Sequence, residues 1–463
     1  MNSHSVRGAR LCQPVSRIRL TTKALNLAIL LCAICSGVAA EPCKAVENDS
    51  LTLEQCITIA RANSPELRIA DNDVKMARLD RDLVAKSRLP QFSLSAGAGY
   101  APVALDFGYD PAVSNGGELG ARIIADQTLY SGGVIGLEAK QAETQTAQRS
   151  LAWQQQDRDL LYAIRQAFID LLAAERMCGL SDQSVVRLSE YADLVADLNQ
   201  AGRAKYADVL GTQVELAQTR IDSSNTAQTA SSMRLNLIRL LGMPDSTSIR
   251  PLGSLDDLLI LADDTSVVVP EAPAGENLDV SAARLGVRQS RLELDMARSQ
   301  WKPTVSLTAD AGVMTSRENL LLPASERYRS VGYSVGISID MPLWDRGRRK
   351  TETARSHTAI RSAEDNVTLI ERDIRAEYRD TRFRLLDARH RLVSLRDIAR
   401  TAEKNYLLTT SQYAAGNATA SDVLFAHQSL TEISRSEIDA LAEIQSLKAR
   451  LDMIAQPEQE VHP

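Results

Sequence analysis

One unit of this chain is written twice, about 214 residues apart, and each copy reads strand, long helix, tight turn, long helix. Asp126-Gln-Thr-Leu-Tyr-Ser-Gly-Gly133 returns as Asp340-Met-Pro-Leu-Trp-Asp-Arg-Gly347. Leu171-Leu172 returns as Leu385-Leu386, and Ala201-Gly202 with Asp208-Val-Leu210 returns as Ala415-Gly416 with Asp422-Val-Leu424. Upstream, Ser87-Arg-Leu-Pro90 matches Ser299-Gln-Trp-Lys-Pro303. Register kept across so many landmarks marks a duplicated structural unit, and that duplication limits the folds open to the chain.

The second half of each unit is built for length. No proline lies between Pro111 and Pro244 or between Pro342 and Pro457, and Gly416 is the only glycine from Arg348 to Gln456. Proline costs a helix interior ~3 kcal/mol and glycine ~1 kcal/mol, so such stretches permit very long helices. Leu161, Ile164, Phe168, Leu171 and Leu172 recur at helical spacing, as do Ile370, Ile374, Tyr378, Leu385 and Leu386. A helix from Gly133 to Asn199 would be ~100 Å long. The spacing predicts two antiparallel coiled-coil hairpins, 133–242 and 347–454, with turns at Gly202 and Gly416.

The first half of each unit has a different period. Segments 91–100, 119–129, 304–313 and 331–341 alternate, as in Val305, Leu307, Ala309, Ala311 and Val313 or Val331, Tyr333, Val335, Ile337 and Ile339. Ten-residue segments that are apolar on one face and small or polar on the other are the pattern of membrane β-barrel strands. A half-buried sheet on a soluble core would alternate too, but would account for neither the giant helices nor the export signal. Polar loops at 101–118 and 314–330 join the strand pairs. Open sheet edges do not occur in lipid, and closure takes at least about eight strands, so four strands demand several chains. Three chains would supply twelve.

The N-terminus carries Arg7, Arg10, Arg17, Arg19 and Lys23, then an apolar run from Ala24 to Gly37 and the exit Val38-Ala39-Ala40. This reads as a secretory signal peptide, 1–40. Loss of its five basic residues shifts the net charge from -6 to -11, an acidic balance that argues against nucleic acid. Cys43, Cys56 and Cys178 remain, an odd and scattered set with no CxxC pair. Lipid attachment at Cys43 is disfavoured by the preceding Glu41-Pro42.

Leu51-Thr-Leu-Glu-Gln-Cys-Ile-Thr-Ile-Ala-Arg-Ala-Asn-Ser-Pro-Glu-Leu67 resembles the opening helix of TolC-like outer membrane efflux proteins, the outer membrane factors. Leu89-Pro90, Leu129-Tyr-Ser-Gly-Gly133, Leu241-Gly-Met-Pro244 and Pro342-Leu-Trp-Asp-Arg-Gly347 follow in that family's order, from about Leu51 to Gln456. The resemblance implies a mainly α fold with a membrane β-barrel: a homotrimer whose twelve-stranded barrel continues into a periplasmic α-helical tunnel. It divides the chain into signal peptide 1–40, first repeat 41–243, equatorial segment 244–275, second repeat 276–456 and tail 457–463. The expected function is the passive exit duct of a tripartite efflux system for drugs or metal ions, with type I protein secretion as the alternative. The expected partners are a periplasmic adaptor, an inner-membrane pump of RND or ABC type, and outer membrane lipid.

The resemblance also assigns a gate. Its positions at the closed periplasmic entrance are matched here by Tyr413, Asp422 and Asp208, and the hairpin tips Gly202, Arg203, Ala204, Gly416 and Asn417 match the adaptor-docking ends. Thr419-Ala-Ser-Asp422 reads equally as a capping box, and both roles can coexist. Two family positions depart from pattern: Phe425 stands where some members carry a second acid, and Ala418 where they carry arginine. No catalytic, metal or cofactor motif is present. His357, His390 and His427 fall in charge-rich helices and are expected to be solvated or tunnel-facing.

Overall fold

A computed structural model describes residues 50–101, 116–256, 277–317 and 327–455. The signal segment, Cys43, both strand-connecting loops, most of the equatorial segment after Asp256, His462 and the tail lie outside the described residues.

The elements run β1 (Ser50–Leu51), α1 (Leu53–Asn63), α2 (Pro65–Lys86), β2 (Gln91–Ala101), β3 (Gly116–Ser131), α3 (Val134–Gln200), α4 (Tyr206–Leu240) and β4 (Arg250–Pro251). They continue with α5 (Leu278–Ser299), β5 (Thr304–Arg317), β6 (Arg327–Asp340), α6 (Arg348–Ala415) and α7 (Ala420–Ala455). The two longest helices, α3 and α6, have 67 and 68 residues and so extend for about 100 Å each. Among the described residues no helix is apolar enough to cross a membrane.

Backbone chemistry explains where the helices stop. At each hairpin tip a left-handed glycine, Gly202 (φ 70°) or Gly416 (φ 84°), ends the long helix. The next two amides turn back onto it: Arg203 N–H donates to the Leu198 carbonyl and Gly202 N–H to Asn199. Asn417 N–H donates to Gln412 and Gly416 N–H to Tyr413. These are two Schellman caps, a conformation that a Cβ disfavours at the central residue.

β1 and β4 pair in parallel, and the four long strands form one antiparallel sheet in the order β2-β3-β5-β6, so the inner strands of the two copies pair with each other and β2 and β6 are left as edges. Its register sorts side chains by face. One row runs Ser95, Arg122, Gly312, Gly332; the adjacent row, on the opposite face, runs Leu94, Ile123, Ala311, Tyr333. The apolar face lies bare: Leu94 is 74 % exposed, Tyr333 85 % and Ile339 69 %. On the polar face, Thr308 donates to Asp126 at 2.9 Å and Ser334 donates to Asp310. The ladders outrun the alternation, since β5 continues to Arg317 and β3 begins at Gly116. Backbone pairing continues there without an alternating apolar pattern to announce it.

The buried core lies in the helices and falls into two clusters. The larger surrounds Leu171, Leu241, Val280, Leu385 and Leu441, with contributions from β1, α1 and both hairpins. The smaller lies toward the tips and joins α3, α6 and α7. Between them, Asp256 accepts from Arg176 of α3 and from Arg396 of α6, each at 2.6 Å, and so ties the two hairpins together through the inter-repeat segment. The two copies also close alike at their bases. The Asn63 side-chain amide donates to the Leu241 carbonyl, and that of Asn277 to the Ile454 carbonyl.

Candidate functional site

The hairpin tips gather most of the residues singled out above. Tyr413, in the last turn of α6, is 7 % exposed. Its ring meets Tyr191 of α3 edge-on, with centroids 5.5 Å apart and planes at 64°. Leu188, Val195, Tyr406, Ala420, Val423 and Ala426 complete this small core. Burial raises the pKa of both phenols, and the nearby Asp208 carboxylate raises both further. Both rings are therefore neutral throughout the ordinary pH range.

Asp208 and Asp422 occupy matching places in the two copies but do different work. Asp422 accepts from the backbone N–H of Thr419 at 2.8 Å and from its hydroxyl at 2.7 Å, while its own N–H donates to Thr419 Oγ1 at 3.3 Å. That is a reciprocal capping box. The two Thr419 bonds hold its carboxyl below the usual carboxylate range. In the first copy the corresponding residue is Lys205, which provides no side-chain cap. Asp208 is half-buried and directs its charge toward the tyrosine pair instead. One copy's acid holds its own helix start and the other's faces the neighbouring hairpin.

The residues expected to dock an adaptor sit at the hairpin turns. Gly202, Arg203, Gly416 and Asn417 are in the two turns, and Arg203 crosses from one tip to the other by donating to the Ala414 carbonyl at 3.1 Å. Asn199 Nδ2 donates to the Ala204 carbonyl at 2.8 Å and stiffens the first tip. Phe425 is 71 % exposed just above them, with Tyr206 and Val214 of α4 similarly bare at 66 % and 70 %.

His427 departs from the sequence expectation. It is 2 % exposed, packed beside Tyr406 at 5.7 Å between ring centroids, with Nε2 hydrogen-bonded to Ser184 Oγ at 2.9 Å. Burial, aided by the Arg187 charge, pushes it down to about 4, so it is neutral. The signal was present: Val423, Ala426, His427 and Leu430 form one i, i+3, i+4, i+7 stripe, and the histidine lies within it. Asp256 escaped notice for the opposite reason, since it sits in a segment with no period at all.

Among the described residues no group of three His, Cys, Asp or Glu is placed to hold a metal ion. Cys56 is buried, which pushes its thiol up to about 11 and makes it unreactive. The tip geometry offers packing, caps and charge: the means to hold helices together or release them.

Comparison with known proteins adds the lineage of this architecture. The family model described as outer membrane efflux protein matches residues 56–243 and again 269–455, once per copy. Outer membrane efflux protein BepC of Brucella suis is 20 % identical over 322 residues, covering 68 % of this chain and 67 % of that protein. The alkaline protease secretion protein AprF of Pseudomonas aeruginosa is 25 % identical over 298 residues, 62 % of this chain and 60 % of that protein. Among solved structures, the outer membrane protein VceC of Vibrio cholerae superimposes with a TM-score of 0.73. It is 18 % identical, and the match covers 88 % of this chain and 96 % of that one.

Proposed function

Because this chain belongs to the outer membrane efflux protein family, we propose that it is the outer-membrane exit duct of a tripartite export system, with small molecules or metal ions as its cargo. The observation that carries this reading is the sheet. It bears a bare apolar face, a polar opposite face and two unpaired edges, and it is joined to helices of 67 and 68 residues. Such a sheet is stable in lipid only when closed, and three chains would close it with twelve strands. Bare apolar side chains along α4, from Tyr206 to Ile221, support the same assembly, since a neighbouring copy would cover them.

Transport through the duct is passive and its direction comes from an inner-membrane pump coupled through a periplasmic adaptor. The tips are the adaptor's docking ends: Gly202, Arg203, Ala204, Gly416 and Asn417. Tyr413 and Asp208, with Asp422 fixing the start of α7, form the gate. The adaptor opens it by binding the splayed tips more tightly than the packed ones, a population shift. Type I protein secretion is the second reading, favoured by the likeness to AprF.

Purified protein tests the reading directly. It should run in detergent as a heat-dissociable trimer and give discrete conductance steps in a planar bilayer. A stable monomer that does not conduct would sink it. A gene for an RND pump or for an ABC transporter beside this one separates efflux from secretion.

A further inference from the structure

The two copies make the same turn from strand into helix, and only one of them is basic. From the end of β3 the chain reads Leu129-Tyr-Ser-Gly-Gly-Val-Ile-Gly136, with no charged residue; at the matching positions beyond β6 it reads Leu343-Trp-Asp-Arg-Gly-Arg-Arg-Lys350. Both turns take left-handed backbone at matching positions, Gly132-Gly133 and Arg346-Gly347. The fold therefore does not require the charge, and the uncharged copy is an internal control.

Leu343 is 90 % exposed and Trp344 78 %, and they continue the bare apolar ladder of β6 past its end. The Arg346 guanidinium lies over the Trp344 ring, 5.5 Å from its centroid. Five cations (Arg346, Arg348, Arg349, Lys350, Arg355) stand against two acids (Asp345, Glu352) between residues 342 and 355. Both acids are engaged locally: Asp345 accepts from the Gly347 and Arg349 amides, and Glu352 pairs with Arg348. Three of the cations occupy the first turn of α6, where the helix dipole disfavours positive charge. A cleft of about 1160 Å³ beside them is also lined by Arg298, Lys302 and His357.

We infer that this turn is a docking surface for anionic phospholipid. Trp344 and Leu343 enter the interface where the lipid-facing strand ends, and Arg346, Arg349 and Lys350 hold the phosphate of a phosphatidylglycerol-type headgroup. The inference rests on the barrel reading, which puts the helix end of the sheet at the periplasmic, phospholipid leaflet. Charge complementarity and continuity with the bare face of β6 select the occupant: aromatic side chains belong at the headgroup level, and clustered cations beside them attract anionic lipid.

The test uses full-length protein reconstituted in vesicles, with Trp153→Phe and Trp301→Phe leaving Trp344 as the only tryptophan. Brominated phosphatidylglycerol should quench its fluorescence at least about threefold more strongly than brominated phosphatidylcholine. Replacing Arg346, Arg349 and Lys350 with Gln should abolish that preference and leave conductance unchanged. Mass spectrometry of lipids retained by the unsubstituted protein should show phosphatidylglycerol enriched, and depleted in the triple Gln variant, without reliance on the tryptophan changes. Equal quenching by both lipids overturns the inference, as does no quenching by either, the result expected if a second copy of the chain covers Trp344. Protein that neither inserts nor conducts overturns the barrel reading itself, so the two failures are distinguishable.

Discussion

Tyr413 closes on Tyr191 edge to face, 5.5 Å between centroids, and this contact joins the last turn of α6 in the second hairpin to the long helix of the first. An edge-on aromatic pair contributes about 0.5–1.5 kcal/mol beyond its buried area. If this packing holds the tips shut, Tyr413→Ala should raise single-channel conductance, and adding Tyr191→Ala should raise it little further. Additive increases would show that the two rings act independently.

Asp422 and Asp208 should separate by experiment. Asp422→Ala removes the carboxylate half of the reciprocal cap and should be seen as faster amide exchange in the first turn of α7. Asp208→Asn breaks no cap and should leave exchange at the start of α4 unchanged. It should lower the pKa values of Tyr191 and Tyr413, readable by ultraviolet titration of the phenols.

His427 makes the tip core sensitive to acid. Its folded value of about 4 lies below the ordinary histidine value of 6.5, so the unfolded chain binds the proton more readily. Stability is unaffected above pH 6.5 and falls as the pH drops from there toward 4, by up to roughly 3 kcal/mol. Thermal unfolding of the wild type should show this loss between pH 7 and pH 5. His427→Gln should flatten it; an unchanged slope would move the effect to other groups.

Asp256→Ala should loosen both hairpins at once, because Arg176 and Arg396 lose the same partner. All three side chains are more than a third exposed, so solvent screening limits the expected cost to about 1–2 kcal/mol. Arg176→Ala in the Asp256→Ala background should then cost almost nothing, which a double-mutant cycle in urea would measure.

Gly132→Ala should be far worse than Arg346→Gly, although the positions match. A Cβ at Gly132 would stand 2.6 Å from Lys302 Cβ and 2.7 Å from the Ser299 carbonyl. Arg346, at φ 55°, already carries a side chain, and glycine there relieves a left-handed conformation that costs roughly 1–2 kcal/mol. Trimer yield and melting temperature should fall for the first variant only.

Much of this architecture can be read from the order of residues. Strict alternation in Val305 to Val313 dictates a two-faced sheet, and the isolated Gly416 in a hundred helix-forming residues dictates where a hairpin turns. The edge strands and the need for partner chains follow from counting. The finer features are invisible to periodicity. Thr419 caps and Lys205 does not, so two aspartates in equal registers diverge, a difference that appears only when the N-cap is considered beside the acid. Asp256 is legible only in three dimensions, because its partners lie 80 and 140 residues away. His427 hides in plain sight, since a polar residue in a buried stripe looks like one on a wet face until its neighbours are in place.

The pairing of β3 with β5 has a consequence for how such a ring comes into being. To build the three-chain ring proposed above, six separate strand hairpins would have to meet in an assembly whose rate scales with a high power of concentration. Covalent fusion of two of them, with their shared seam zipped inside one chain, leaves only three bodies to find one another. That lowers the molecularity of assembly, and every chain arrives with the seam between its two hairpins already made.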